Sequence, residues 1–375
     1  MLIIYLLVAA VFLLSFANGA NDVSKGIATL VGSGVTSYRK AIIWGTIWTV
    51  VGGLIASVFA LELVRTFSAD GIIKSTIDLN QSFPIAISLG AFAWVIITAR
   101  TGLPVSTTHS IAGAICGAGI AAVGFDGITW SFLGMKIFLP LLFSPLLALG
   151  ISWLITPLII RLSSRLHRYC LCLEVKEPVT LRANIGESAA TLSQVATLPE
   201  TKVMASQKEN CEQSLDSSHK FEVLDILHWL SAAMASFARG LNDAPKIAAL
   251  ALGAGALGAH LPISTSFIIV AIAMGMGSIL AGLKVTQTLS EKVTPMTSQE
   301  GFAANLTTSV LVTLASRFGM PVSTTHVSSG AIFGIGLKHG KKTVKWRTVL
   351  EMIFAWIITL PVAALLAYII FWIIN

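Results

Sequence analysis

Long apolar stretches alternate with short polar breaks along most of the chain. The longest apolar stretches cover residues 1–18, 41–61, 83–98, 132–160, 262–283 and 348–374. Several reach the roughly 20 residues that a helix needs to cross a bilayer. Shorter apolar stretches complete five predicted spans in each half, at 105–123, 224–238, 302–316 and 321–338. The pattern predicts an all-α integral membrane protein with about ten to twelve membrane segments, some of them broken or re-entrant helices.

Composition supports the membrane class. Of the 375 residues, 55% are hydrophobic and only 11% are charged, whereas a soluble domain carries about 25% charged residues. The apolar surface of such a protein is expected to contact the lipid bilayer, and we expect a multi-pass protein of the cell membrane. The net charge of +7 reports membrane orientation rather than a nucleic-acid partner. The sequence has no Walker A loop, HExxH motif or GxSxG elbow, so it predicts no enzyme and no cofactor.

One hydrophilic segment interrupts the apolar pattern. Residues 161–222 are rich in charged side chains and poor in apolar runs. We expect a cytoplasmic linker there, partly helical and partly disordered. It separates a first transmembrane repeat at 1–160 from a second at 223–375.

Two polar motifs occur once in each half. The segment FANGANDVSK at 16–25 recurs as FARGLNDAPK at 237–246, a shift of 242 − 21 = 221 residues. The segment PVSTTH at 104–109 recurs at 321–326, a shift of 321 − 104 = 217 residues. Two motifs in the same order at nearly the same shift indicate an internal duplication.

The number of spans and the basic residues predict how the halves are oriented. Five crossings per half is an odd number, so the second repeat is expected to be inverted relative to the first. Arg39, Lys40, Arg100, Lys284 and Lys292 all lie inside if both termini are extracytoplasmic and the linker is cytoplasmic. This arrangement obeys the positive-inside rule. Inverted repeats are typical of alternating-access carriers.

The repeated Asn-Asp pairs are candidate cation-binding residues. Asn21 with Asp22, and Asn242 with Asp243, introduce carboxylates into apolar sequence, where an ionisable group usually has a function. Carboxylate, amide and carbonyl oxygens suit sodium, which we place at Asp22 and Asp243, although a carboxylate can equally carry a proton. The alternative is an aspartate that caps a helix at the membrane surface.

The repeated Pro-Val-Ser-Thr-Thr-His segments are candidate anion sites. Proline stops the preceding helix, and serine or threonine is a good N-cap for the next. The free N–H groups of such a turn attract anions, and hydroxyls beside them can donate to a tetrahedral oxyanion such as phosphate. The candidates are Ser106, Thr107, Thr108, Ser323, Thr324 and Thr325. Alternatively, these hydroxyls only satisfy the backbone of a broken helix.

Four further repeated residues have more than one interpretation. His109 and His326 are expected to anchor the broken turn, and the alternatives are an anion contact or a proton relay. Lys25 and Lys246 either attract anions at a cleft or extend their ammonium groups to the membrane interface.

At these motifs the sequence resembles the PiT family of inorganic phosphate transporters, in both halves but not in the linker. The resemblance implies an inverted-repeat symporter that moves phosphate with sodium or protons. It also implies that Asn21 and Asn242 lie at the phosphate site as well as the cation site. A sulfate permease of the same architecture is the main alternative, followed by an anion channel or a nutrient receptor. The sequence leaves open whether the protein forms a homodimer.

Overall fold

The structure, a computed structural model, describes residues 2–68, 72–74, 81–164, 169–175, 201–207, 217–252, 262–340 and 342–375. The chain divides into two compact units. One combines residues 1–159 with 228–375, and the other consists of residues 160–227. Both predicted repeats therefore contribute to one unit.

Helices make up the larger unit. Before the linker they are α1 (Leu2–Asp22), α2 (Ser24–Gly32), α3 (Tyr38–Phe59), α4 (Leu61–Phe67), α5 (Ser82–Thr101), α6 (Thr107–Val123) and α7 (Leu139–Ser163). The short helical segments Phe125–Gly127, Trp130–Phe132 and Leu133–Phe138 precede α7. After the linker they are α8 (Val223–Leu252), α9 (Ile263–Ala281), α10 (Leu283–Glu291), α11 (Ser298–Arg317), α12 (Thr324–Lys338) and α13 (Trp346–Ile374).

Six helical segments of the described chain are long and apolar enough to cross a membrane. They are Leu2–Gly32, Tyr38–Phe59, Ser82–Thr101, Trp130–Ser163, Ile263–Ala281 and Trp346–Ile374. The other four predicted spans fall on α6, α8, α11 and α12, which are shorter or more polar. The protein is thus a helical multi-pass membrane protein, and its ten to twelve segments remain a prediction.

The linker, which we expected to be partly helical, contains three strands among its described residues. Strands β1 (Tyr169–Val175), β2 (Thr201–Gln207) and β3 (Ser217–Glu222) form an antiparallel sheet in the order β2-β1-β3. The expectation of an all-α chain is therefore wrong for this segment. The sequence YCLCLEV of β1 alternates apolar residues with others, a period-2 pattern that favours a strand. Within the linker, residues 165–168, 176–200 and 208–216 lie outside the described residues, so the predicted disorder stays a prediction.

Glycines let the helices that carry the Asn-Asp motifs approach their neighbours closely. A Cβ atom added to Gly19 in α1 would lie 2.0 Å from the backbone oxygen of Met274 in α9. A Cβ atom added to Gly240 in α8 would lie 2.1 Å from the backbone oxygen of Thr49 in α3. Small residues commonly bring membrane helices together in this way. Each motif is therefore held against a helix from the other half of the chain.

Candidate functional site

Each Pro-Val-Ser-Thr-Thr-His segment forms the predicted helix start. Helix α5 ends at a left-handed Gly102 (φ 80°), and Ser106 caps α6 by accepting a hydrogen bond from the backbone N–H of His109 at 3.1 Å. In the second copy Gly319 is also left-handed (φ 66°), and Ser323 caps α12 by accepting from His326 N–H at 3.2 Å. We call residues 104–109 the first turn and residues 321–326 the second turn. Both turns are confirmed as helix N-termini.

The two turns lie against each other. Thr325 Oγ1 of the second turn donates to the backbone oxygen of Val105 at 2.7 Å. Thr108 Oγ1 of the first turn donates to the backbone oxygen of Val322 at 3.4 Å. These two contacts are equivalent under the repeat. The N-termini of α6 and α12 therefore meet at one place in the molecule.

The Asn-Asp pairs dock onto the same two turns. Asn21 Nδ2 donates to the backbone oxygen of Val105 at 2.7 Å, and Asn242 Nδ2 donates to that of Val322 at 3.2 Å. Each asparagine also donates to the aspartate that follows it, at 2.7 Å in the first copy and 2.9 Å in the second. The structure therefore brings the predicted cation and anion residues into one network.

The backbone around the two Asn-Asp pairs differs. In the first copy α1 ends at Asp22 and α2 begins at Ser24. In the second copy α8 runs unbroken from Val223 to Leu252 through Asn242, Asp243 and Pro245. Of the two motifs, only the first therefore coincides with a helix break.

Both repeated lysines are buried beside the aspartates. Lys25 Nζ lies 2.8 Å from Asp22 Oδ1 and 2.6 Å from the backbone oxygen of Asn21. Lys246 Nζ lies 3.6 Å from Asp243 Oδ1. The lysine side chains are each 1% exposed. The interpretation that they extend to the membrane interface is therefore wrong, because their ammonium groups point into the protein.

Two residues outside the predicted set complete the network. Asn18 Nδ2 lies 3.0 Å from Asp22 Oδ2 and 3.2 Å from Asp243 Oδ2, so it bridges the two carboxylates. Arg239 donates to Asn18 Oδ1 at 3.2 Å and to Thr49 Oγ1 at 3.2 Å, and its Nε lies 3.8 Å from Asp243 Oδ2. The signal was present in the repeat, since 239 − 221 = 18 aligns Arg239 with Asn18.

The hydroxyls of the turns have different roles. Ser106 and Ser323 cap their helices, and Thr325 and Thr108 link the two turns. Thr107 Oγ1 lies 3.3 Å from Asp22 Oδ2. Within the described part of the chain, the Thr324 hydroxyl has no hydrogen-bond partner. It is thus the hydroxyl of the second turn that is most available to a ligand.

The two histidine rings lie in tilted contact where the turns meet. The ring centroids of His109 and His326 are 4.5 Å apart. His109 Nδ1 lies 2.9 Å from Ser106 Oγ, and His326 Nδ1 lies 3.4 Å from the backbone oxygen of Leu141. These contacts favour the interpretation that the histidines anchor the broken turns.

The site is closed to solvent, since its candidate phosphate and cation residues are at most 3% exposed. Hydrogen-bond donors surround both carboxylates, as buried charge requires. Two helix N-termini add their positive ends to the same place. The arrangement can stabilise buried negative charge.

The chain is similar to phosphate transporters from several organisms. The chain is 28% identical over 99% of its length to a probable low-affinity inorganic phosphate transporter of Bacillus subtilis, 96% of which is covered. It is 27% identical over 96% of its length to the chloroplastic inorganic phosphate transporter 2-1 of Arabidopsis thaliana, 70% of which is covered. The solved structure of a sodium-dependent phosphate transporter matches with a TM-score of 0.77 and 22% identity, over 100% of this chain and 99% of that one. These relatives are transporters, not enzymes. The model of the phosphate transporter family matches residues 18–367, and the chain belongs to that family.

Proposed function

We propose that the protein is a secondary active transporter that moves inorganic phosphate across the membrane together with a cation. One observation carries the proposal: two helix N-termini, each bearing Ser and Thr hydroxyls, meet at a single buried point beside cationic side chains. Backbone N–H groups and the positive end of the helix dipole stabilise an anion there. Membership of the phosphate transporter family supports phosphate as that anion.

The phosphate would be held from two sides. Thr107 and Thr324 occupy the first helical position of α6 and α12, so they would donate their hydroxyls directly. Ser106 and Ser323 would orient the free backbone N–H groups at the start of α6 and α12, because they cap these helices. Thr108 and Thr325 would keep the two turns together, and they would also bind phosphate when the site rearranges.

The amides of Asn21 and Asn242 would hold each turn in register with its aspartate. Both asparagines bond a turn carbonyl and a carboxylate at once. In this role each asparagine would contribute both to the phosphate-binding turns and to the cation-binding aspartates.

Asp22 and Asp243 would couple phosphate to a cation. A multiply charged oxyanion loses a large hydration energy when it enters a buried site, so positive charge has to accompany it. The coupled ion is sodium or a proton. The structural relative is described as sodium-dependent, which supports sodium as one of the two candidates.

The repeats would supply the movement. Equivalent contacts in the two copies, such as those of Asn21 and Asn242 with the turn carbonyls, support inverted repeats related by a pseudo-twofold axis. The buried site would open to one side of the membrane and then to the other. This is alternating access.

The test is uptake of radiolabelled phosphate into proteoliposomes under imposed ion gradients, with excess sulfate as competitor. Uphill uptake that sulfate does not reduce is the expected result. Replacement of phosphate by sulfate would support the sulfate permease, because the turns fit any tetrahedral oxyanion. Flux without accumulation would support a channel, and binding without flux would support a receptor.

A further inference from the structure

Lys25 occupies the position that a sodium ion would need at the first aspartate. Sodium sites in carriers are built from carboxylates and from carbonyl oxygens at the C-terminal ends of broken helices. Here those oxygens are Asp22 Oδ1 and the backbone oxygen of Asn21, at the end of α1. Both lie within 2.8 Å of Lys25 Nζ. These oxygens thus already contact a cation, namely the ammonium group of Lys25.

Lys246 occupies the equivalent position in the second copy, since 246 − 221 = 25. Its Nζ donates to the backbone oxygen of Val322 at 2.8 Å and to Thr108 Oγ1 at 2.8 Å, with Asp243 Oδ1 at 3.6 Å. A carbonyl, a hydroxyl and a carboxylate are oxygens that a sodium ion also uses. The Thr108 and Val322 contacts place this ammonium directly at the two turns.

The charges of the network already favour a bound anion, even without an added cation. Among the described residues, the side chains in the aspartate network include two carboxylates, Asp22 and Asp243, and three cations, Lys25, Arg239 and Lys246. All five are at most 3% exposed, so their charges are poorly screened. With the side chains in their ordinary charge states, the network holds one more positive than negative charge. A sodium ion would add to that excess and would have to displace an ammonium.

We infer that Lys25 and Lys246 are built-in cations of the two cation positions, so that the protein binds and transports phosphate without sodium. The inference rests on the proposed phosphate transport and specifies its ion requirement. A tethered ammonium stays with the protein through the cycle, unlike a sodium ion that crosses with each turnover. Of the two coupling ions considered for the site, the proton gradient then remains as the driving force.

The experiment measures radiolabelled phosphate uptake into proteoliposomes with an inward proton gradient, in sodium chloride and in choline chloride. The unsubstituted protein should accumulate phosphate equally in both media. In Lys25→Asn and Lys246→Asn, sodium should raise uptake about tenfold, because it then supplies the missing buried charge. Lys292→Asn is the matched control, since Lys292 is exposed on the loop after α10, and it should behave as the unsubstituted protein.

A direct binding measurement on the unsubstituted protein tests the inference even if the variants misfold. Binding of radioactive sodium to the purified protein should be absent with and without phosphate, and should appear in Lys25→Asn. Phosphate uptake by the unsubstituted protein that requires sodium, or phosphate-dependent sodium binding to it, overturns this inference and leaves phosphate transport standing. Absence of phosphate uptake in both media overturns the proposed function as well.

Discussion

Asp22 is surrounded by donors from four side chains. Asn18, Asn21, Lys25 and Thr107 each place a nitrogen or oxygen atom within 3.3 Å of its carboxylate. A buried carboxylate needs such partners because it has lost its hydration. The same dependence holds in reverse, since the buried ammonium of Lys25 relies on this carboxylate. We therefore expect phosphate uptake to depend more on the charge of Asp22 than on its shape.

We predict that Asp22→Asn abolishes coupled phosphate uptake while the protein still inserts into the membrane. Removal of one partner of a buried ion pair costs about 3–5 kcal/mol, which here weakens the phosphate-competent state. Uptake and the amount of membrane-inserted protein are measured in parallel. Glu351→Gln is the control, because this carboxylate is half exposed and pairs with Arg347 at the surface. Normal uptake by Asp22→Asn would refute a role of Asp22 in coupling.

Neighbouring threonines of the second turn allow a sharper test of anion binding. Thr324→Val should lower phosphate affinity about tenfold, the effect of one lost hydrogen bond to a charged ligand. Its thermal stability should not change, because this hydroxyl has no partner in the described chain. Thr325→Val should lower thermal stability, since it leaves the Val105 oxygen without that donor.

Equilibrium binding of phosphate and thermal unfolding in detergent separate the two effects. Unchanged affinity in Thr324→Val would indicate that the hydroxyls of the turn serve the backbone alone.

At the scale of elements, the site depends on helices that touch along their backbones. Gly19 and Gly240 occupy equivalent positions of the repeat and bring α1 onto α9 and α8 onto α3. The Asn-Asp pairs follow these glycines by two and three residues. A change in helix spacing would therefore move the asparagine amides away from the turn carbonyls.

We predict that Gly240→Ala destabilises the protein by about 1–3 kcal/mol, the usual cost of overpacking. The added carbon would meet the Thr49 backbone oxygen, which cannot turn away as a side chain would. The melting temperature in detergent should fall, and phosphate uptake should fall with it. Gly150→Ala in α7 is the matched control, because no atom lies within 4 Å of its added carbon. Equal melting temperatures for the two variants would contradict this account of the packing.

At the scale of the whole molecule, contacts group the loops as the positive-inside rule does. Lys284 Nζ donates to the backbone oxygen of Arg100, and both residues are predicted to lie inside. Gly319, in the turn that follows α11, accepts from Thr66 Oγ1 in α4, and both belong to the predicted outer side. These contacts support the grouping of the loops into two sides, and the extracytoplasmic location of the termini stays a prediction.

We predict that Arg65→Cys reacts with a membrane-impermeant thiol reagent added to intact cells. Lys292→Cys should react only after the membrane is permeabilised. Both positions are exposed, so packing within the protein does not block the reagent, and the unsubstituted protein gives the background labelling. Labelling of Lys292→Cys in intact cells would reverse the proposed orientation.

Local patterns made part of the site predictable. Ser106 and Ser323 are recognisable as helix caps because Pro, Ser and Thr act on their own neighbours. The strands of the linker were missed because a segment dominated by charge was interpreted as helix and coil, although β1 has a period-2 pattern. Arg239 was missed because its role depends on Asn18, 221 residues earlier in the chain.

The membrane class, the duplication and the two helix starts can be inferred from the sequence, because they follow from apolar run length, recurrence and the stereochemistry of proline and serine. Which side chains share one buried network depends on the tertiary structure. Asp22, Thr107 and Asp243 are far apart along the chain, and long-range helix packing brings them together. It also decided that Lys25 and Lys246 point inward, because a flexible side chain takes the direction in which its charge finds partners.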